Sequence, residues 1–431
     1  MRGKPIRLGF LGMGTVGCGT VRTLLDNQRE IEARVGRPLL IHRVAVAHPH
    51  KKRDVHLDTG LYTTDGNEVV RDPEVDIVVE VIGGVEPARS FLASALEHGK
   101  QVVTANKELL AKVGAELLGM AGARRLDFAF EGSVAGGIPI ILPLKVSLAA
   151  NSIQRLLGIV NGTTNYILTR MSEEGAAFED VLAQAQKLGY AEPDPSNDVD
   201  GADAAYKLAI LSSIAFGTRV NIDDVYYEGI RSVTALDVHH ARELGYAIKL
   251  LAIAQRVEDR LELRVHPGLV PIQHPLASVN DVYNAVMVRG SSVGDVMFYG
   301  RGAGALPTGS AVAGDIVDVA RNIVADATGR LHESTFEHRE VVPIQDTRSQ
   351  FYMRLRADDK PGVIARVATI LGDHEVSIAT VIQKESQGGS AEIVWVTHAT
   401  PEGRYRAALE EIRRLPVVHE IGSVLRVVNG E

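Results

Sequence analysis

Short apolar runs alternate with amphipathic stretches through the first third of the chain. Ile6–Leu11 (IRLGFL) has the pattern of a buried strand and residues 19–33 that of a helix, with a glycine-rich turn between them. Apolar runs recur at Leu40–Ala47, Asp76–Ile82 and Gln101–Thr104, each followed by helical periodicity. Strands alternating with helices predict right-handed crossovers and a parallel sheet. Residues 1–130 are therefore expected to form a doubly wound, Rossmann-type nucleotide-binding domain of the α/β class.

The pattern changes over residues 131–330. Helical periodicity is read at 178–188 and 201–216 and extended runs at 248–256, 260–265 and 282–289, which predicts an α+β unit. Residues 331–350 are polar and aperiodic and read as a linker. The tail, 351–431, holds in order a strand (FYMRLRA), a DDKPG turn, a helix (VIARVATILGDH), a strand (VSIATVIQKE), a QGG turn, a strand (AEIVWVTHAT), a helix (EGRYRAALEEIRRL) and a last strand (IGSVLRVV). That order is βαββαβ, a small ferredoxin-like domain.

Length supports this division, since 431 residues are enough for two or three domains with sizeable cores. A net charge of −8 gives no electrostatic case for nucleic acid or an anionic membrane. The longest apolar run, Ile138–Leu144, is broken by Pro139 and Pro143 and falls far short of the ~20 residues of a membrane span. The glycine-broken start (MRGKPIRLGFLGMGTVG) is not expected to act as a targeting peptide. One cysteine, Cys18, excludes an intrachain disulfide and a multi-cysteine metal site, which fits a reducing, cytoplasmic setting.

Gly12-x-Gly14-x-x-Gly17 lies between a predicted strand and a predicted helix, the context a dinucleotide fingerprint requires. Gly12 permits the tight turn, Gly14 lets the backbone approach a pyrophosphate and Gly17 lets strand and helix pack closely, while the helix start at Thr15 and Val16 offers amide donors. After the second strand an NAD site would place an acid for the ribose hydroxyl; here the chain reads His48-Pro49-His50-Lys51-Lys52-Arg53, which favours a 2′-phosphate and hence NADP(H). Lys107 directly follows the Gln101–Thr104 strand, and carboxyl ends of parallel strands face the ligand crevice.

The richest segment is Ala185–Lys207 (AQKLGYAEPDPSNDVDGADAAYK), which sets Glu192, Asp194, Asp198 and Asp203 ahead of Lys207. Asp203 and Lys207 stand four apart in an alanine-rich helical run and share one face. Carboxylates converging on an ammonium suit a site that grips an amino-bearing substrate and moves a proton. Acidic residues at the positive end of a helix are also a common structural device. Ser196, Asp198, Asp200 and Gly201 match the start of a calcium loop, but its twelfth position would be Lys207, where a bidentate glutamate is needed. Gly290-Ser-Ser292-Val-Gly294 matches a nucleophile elbow in letters only, because the following VGDVMFY reads as a strand and not a helix. Adjacent His239 and His240 lack metal-site spacing, and the 14 histidines suggest no transition-metal centre.

The Ala185–Lys207 segment resembles in full the signature of the homoserine dehydrogenases: Gly189-Tyr190, Asp194-Pro195, Asp198-Val199, Gly201, Asp203 and Lys207 at fixed gaps. GFLGMGTVG, TANK at 104–107, EGSVAGGIPI at 131–140, NGTTNYIL at 161–168 and GRGAGALPTGSAV at 300–312 are similar to that family too. The tail resembles an ACT domain, with Asp359-Lys360-Pro361-Gly362 in its first turn.

The resemblance implies reversible, NAD(P)-dependent interconversion of L-homoserine and L-aspartate 4-semialdehyde. It implies Lys207 as proton donor with Lys107 as its partner, Glu192 and Asp203 on the substrate ammonium, and Asp198 supporting the lysine. It also implies cofactor-side glycines at Gly189 and Gly304. A monovalent cation, Na+ or K+, is implied at Glu131 with backbone carbonyls of Val134, Gly136 and Ile138. An amino-acid effector is implied at the turn holding Asp359, Pro361 and Gly362, threonine being a plausible one, and a homodimer or homotetramer is implied as the assembly. Family members often carry an arginine where this chain has His48, so the NADP preference rests on Lys51, Lys52 or Arg53, and use of NAD(H) as well stays open. The alternatives are an amino-acid sensor with a vestigial dehydrogenase site and, remotely, a serine hydrolase at Ser292.

Overall fold

A computed structural model describes residues 4–331, 338–383 and 388–428. The chain packs into two units, each built from three segments: residues 1–156, 206–224 and 284–339 form the first, and 157–205, 225–283 and 340–431 the second.

The first unit opens with β1 (Ile6–Leu11), α1 (Thr15–Asp26), α2 (Gln28–Val35), β2 (Leu39–Ala45), β3 (Tyr62–Thr63), α3 (Asn67–Val70), β4 (Ile77–Glu80), α4 (Ala88–Glu97), β5 (Gln101–Thr104), α5 (Lys107–Arg124) and β6 (Phe128–Ala129). These strands form one sheet in the order β3-β2-β1-β4-β5-β6. Every pairing in it is parallel. The chain order reverses across β1, which places a ligand crevice outside the carboxyl ends of β1 and β4. Ile6, Leu8, Phe10, Ile77, Val79 and Val103 are buried in one core, which explains why these strands read as near-continuous apolar runs. The helix expected over residues 19–33 is two helices, because Asn27 leaves the helical region at φ −113° and ψ 24°.

The chain passes into the second unit within β7 (Ile153–Ile159) and continues as α6 (Gly162–Glu174), α7 (Phe178–Lys187) and α8 (Ser196–Val199). It returns to the first within α9 (Ala202–Phe216), then re-enters the second with β8 (Tyr226–Tyr227), α10 (Ala235–Glu243), β9 (Tyr246–Val257) and β10 (Arg260–Pro271). The hairpin of β11 (Tyr283–Gly290) and β12 (Gly294–Arg301) leads to α11 (Ala305–Val324) in the first unit. There α11 lies against α1 at its glycines: a Cβ on Gly19 would stand 1.9 Å from the Ala305 carbonyl oxygen.

The tail forms β13 (Arg348–Asp358), α12 (Val363–Asp373), β14 (Ile378–Gln383), β15 (Ser390–Thr397), β16 (Thr400–Pro401), α13 (Glu402–Arg413) and β17 (Val418–Val427). Apart from the two-residue β16, which pairs with β13, this is the expected βαββαβ order. Its core holds Phe351, Met353, Leu355, Trp395 and Tyr405. The rings of Phe351 and Tyr405 stack with centroids 4.1 Å apart. Strand β17 also pairs in parallel with β10, Gly268 opposite Arg426, so the tail continues the β9-β10 sheet of its own unit. Of the linker expected at 331–350, residues 332–337 lie outside the described residues, as does part of the turn before Gly388; Val341 bridges to Leu261 and β13 begins at Arg348. Among the described residues no helix is long and apolar enough to cross a membrane.

Candidate functional site

In the first unit the chain leaves β1 at Leu11 and turns at Gly12, whose φ of +101° and whose missing Cβ, 2.8 Å from the Val81 carbonyl oxygen, admit only glycine. Gly14 is the N-cap of α1 and faces open space, so nothing blocks a pyrophosphate from the amides at Thr15 and Val16. Gly17 sits where a Cβ would stand 2.8 Å from the Gly12 carbonyl oxygen. Gly304 is the N-cap of α11.

The basic loop after β2 is organised by Arg53. Its Nε donates to the Met13 carbonyl (3.3 Å), Nη1 to the carbonyls of Pro49 (3.1 Å) and Lys51 (2.8 Å), and Nη2 to that of His48 (2.8 Å). The guanidinium also lies 5.1 Å from the centroid of the Tyr62 ring. Four of its five donor hydrogens hold the loop against the glycine turn. Arg53 therefore shapes the loop, while Lys51 and Lys52 are exposed on it.

Lys107 is the first residue of α5. Its predecessor Asn106 is the N-cap, with Oδ1 accepting from the Leu109 amide at 3.1 Å. The lysine is thereby fixed at the carboxyl end of β5, where the topology puts the crevice.

In the second unit, α7 ends before Gly189, which takes a φ of +77°, and Tyr190 packs edge-on against Tyr166 with ring centroids 5.1 Å apart. Glu192 follows in an exposed stretch. Asp194 accepts from the amide of Ser196 at 3.1 Å and its hydroxyl at 2.7 Å, which starts the short α8. Asp198 sits on α8, so the segment read as turns contains one helical turn.

Asn161 then ties the segment together. It caps α6, its Oδ1 accepting from the Thr164 amide (2.8 Å) and hydroxyl (2.9 Å), so its Nδ2 is aimed. That nitrogen donates to Asp198 Oδ1 and to Asp203 Oδ2, each at 2.7 Å. Asp203 is only 3% exposed and Lys207, one turn further along α9, 9% exposed. Two carboxylates drawn to one amide, Asp203 buried and Asp198 half-buried, repel each other, and a cation relieves that repulsion. Asn161 was not singled out from the sequence. The available signal was an Asn-Gly-x-Thr run closing an apolar strand, which is an N-cap pattern.

Glu131 in the first unit spends its carboxylate on a chain turn: Oε1 accepts from the amides of Ile140 (2.5 Å) and Ile141 (2.7 Å), and Oε2 from that of Leu142 (2.8 Å). Its own amide donates to Asp315 at 2.8 Å. Burial, with Glu131 nearby, raises the Asp315 carboxyl well above its usual range. Between these, Ala135 (φ 55°) and Gly136 (φ 50°) turn the backbone sharply, with Val134 and Ile138 buried on either side. The Glu131 carboxylate therefore braces this turn through three main-chain amides.

At the tail's first turn, Gly362 (φ 87°) caps α12, Asp359 accepts from Gln383 Nε2 at 3.0 Å, and Asp358 pairs with His419 (2.8 Å) and Lys360 (2.9 Å). Pro361 lies within this turn, as the sequence places it. Ser292 lies in the β11–β12 hairpin, where Asn151 Oδ1 accepts from the amides of Ser292 and Val293 at 3.0 Å each, and a strand follows it. His239 and His240 both reach Glu243, with the ligand-type atoms of the three within 4.8 Å of one another. His239 and Glu243 are exposed, a setting common without a metal.

Comparison with known proteins reports on the whole chain. A family model described as homoserine dehydrogenase, NAD binding domain, matches residues 12–131; one described as homoserine dehydrogenase matches 139–317; and one described as ACT domain matches 351–417. The chain is 50% identical to a homoserine dehydrogenase of Synechocystis sp., over 98% of this chain and 100% of that one. A crystal structure of a homoserine dehydrogenase from Thiobacillus denitrificans superposes with a TM-score of 0.92 at 46% identity, covering 99% of each chain. A hyperthermophilic archaeal homoserine dehydrogenase in complex with NADPH aligns with a TM-score of 0.62 at 28% identity, covering 73% of this chain and 98% of that one.

Proposed function

The chain belongs to the homoserine dehydrogenase family, NAD(P)-dependent oxidoreductases, and from that premise we propose how its residues divide the work. The reaction is the reversible reduction of L-aspartate 4-semialdehyde to L-homoserine, a step of amino-acid biosynthesis. The reduced nicotinamide, when bound, supplies a hydride to the aldehyde carbon. The resulting alkoxide takes a proton from the Lys207 ammonium, with Lys107 beside it lowering the cost of giving that proton up through like-charge repulsion. Glu192 and Asp203 hold the substrate's ammonium, and Asp198 supports the lysine. Binding and orientation supply most of the acceleration.

One observation carries this division: Asn161 joins Asp198 and Asp203 at 2.7 Å each, one helical turn ahead of Lys207. A protein holding a buried carboxylate and a half-buried one within a helical turn or so of a lysine has placed charges that an amino-acid substrate complements.

Gly12, Gly14, Thr15, Val16, Gly17, Gly189 and Gly304 line the cofactor side in this reading. The exposed Lys51 and Lys52 favour the 2′-phosphate of NADP(H), and the loop that Arg53 shapes presents them. Carbonyls of Val134, Gly136 and Ile138 hold a monovalent cation beside the Glu131 turn. The ACT tail takes an amino-acid effector at Asp359, Pro361 and Gly362, threonine being the first to try. The enzyme works in the cytoplasm as a homodimer or homotetramer. The test is semialdehyde reduction measured with NADPH and NADH side by side. Faster turnover with NADPH supports the reading of the basic loop, and faster turnover with NADH overturns it.

A further inference from the structure

Glu80 is a carboxylate at the carboxyl end of β4, fully buried between Leu11 of β1 and Thr104 of β5 in register. Burying a carboxylate there is costly, and an apolar residue would complete the strand at less expense of stability. Both of its oxygens are engaged, one by the loop after β4 and one by the last residue of β5. Oε1 accepts from the amides of Ile82 (2.8 Å) and Gly83 (3.2 Å), and Oε2 from the Thr104 hydroxyl (2.6 Å). The same hydroxyl accepts from the Asn106 amide at 3.0 Å, and Asn106 Nδ2 donates to the Gly84 carbonyl at 2.7 Å. The hydrogen bonds therefore close a ring: Glu80, the 82–84 loop, Asn106, Thr104 and back to Glu80.

Every loop in that ring leaves the sheet at the crevice end. The 82–84 loop follows β4 and uses positive φ at Gly83 (79°) and Gly84 (73°). Asn106 caps α5, whose first residue is Lys107. The glycine turn after β1 abuts the same strand extension, with the Val81 amide donating to the Leu11 carbonyl at 2.9 Å. Buried side-chain networks with every member satisfied rigidify what they connect.

We propose that Glu80, acting through Thr104 and Asn106, is a positioning residue that sets where Lys107 stands over the crevice. The proposal rests on the reading of Lys107 as a catalytic group. Loss of the ring lets the α5 start and the 82–84 loop shift independently, and a misplacement of about 1 Å in a catalytic group costs on the order of 100-fold in rate.

The test uses the full chain and Thr104→Val, which keeps the shape and removes the hydroxyl that joins Glu80 to Asn106. We expect kcat for semialdehyde reduction to fall about 10- to 100-fold, with the dissociation constant for NADPH changed by less than about threefold, since the glycine turn is intact. Thr104→Ser, which restores the hydroxyl, recovers most of the rate. The double variant Thr104→Val/Lys107→Ala is slowed no more than Lys107→Ala alone, within the about twofold scatter of additivity. A folded Thr104→Val enzyme with wild-type kcat overturns the ring's role, and so do losses that multiply in the double variant. Wild-type kcat in Lys107→Ala overturns instead the catalytic reading of Lys107 on which the proposal rests. Should Thr104→Val fail to fold, Glu80→Gln carries the same readouts with side-chain volume preserved.

Discussion

Asn161 and Asp203 are joined by a 2.7 Å hydrogen bond across 42 positions of sequence, and the same amide nitrogen reaches Asp198 at 2.7 Å. The consequence is specific. Asn161→Asp keeps the shape and replaces the donor by a third carboxylate, so the two acids lose their common anchor and repel it. The KM for semialdehyde should rise at least about tenfold, roughly the 1.4 kcal/mol or more that losing a hydrogen bond to a charged group costs. NADPH affinity should stay within about twofold. Steady-state kinetics against each substrate check this.

The tail is tied to the same segment through Arg426. On β17 it forks between Glu228 (2.9 and 3.1 Å) and Glu402 (2.8 Å to its Oε2). Burial works against its charge, yet these carboxylates keep the guanidinium protonated far above any accessible pH. Glu228 in turn sits where a Cβ on Gly201 would meet its carbonyl oxygen at 2.9 Å, and the Ile230 amide donates to the Val199 carbonyl at 2.8 Å. Arg426→Gln removes the buried cation between the buried Glu402 and the half-buried Glu228, leaving them only Arg406 (2.8 and 3.3 Å), and should lower stability by about 1–3 kcal/mol. Because the strap at 228–230 braces Val199–Gly201, the variant should also raise the KM for semialdehyde more than that for NADPH. Urea unfolding and two-substrate kinetics read the two effects separately.

A pH dependence follows from Asp237. Burial alone would raise its carboxyl, but hydrogen bonds from Arg354 (2.6 Å), Ser423 and Thr234 outweigh that and hold it below the usual range. A depressed folded value means the unfolded chain binds the proton more readily. The stabilisation is present above the unfolded carboxyl value of about 4 and is lost as pH falls through the lower folded value. Asp237→Asn should therefore be less stable than the wild type at pH 7, with the gap narrowing below about pH 4. Chemical denaturation across that range is the measurement.

The glycine turn and the Asp203–Lys207 spacing were legible in the sequence because both depend on local geometry: a φ that favours glycine, and a four-residue spacing that puts two side chains on one helix face. Asn161 and Glu80 were not. Besides local ones, each has partners 24 to 42 positions away, and a capping asparagine or an acid within an apolar strand looks like ordinary local chemistry until the fold brings those distant partners in. Arg53 shows a different limit. Its type and place suggested a phosphate ligand, yet its guanidinium turns back onto four carbonyls of its own loop and the glycine turn, a direction no residue pattern encodes. Likewise Glu131 reads as a cation ligand by position, while its carboxylate is bound to three amides.

The proposed function has this chain reduce the semialdehyde with Lys207 as proton donor. The direct measurement is NADPH oxidation on addition of L-aspartate 4-semialdehyde, by wild type and Lys207→Ala together, with NADPH binding titrated for each. The wild type should form homoserine. The variant should lose at least about 100-fold in kcat, the lower range for removal of a general acid, and keep its NADPH affinity within about twofold. A variant that turns over at the wild-type rate, or one that loses cofactor binding in proportion to activity, would contradict it.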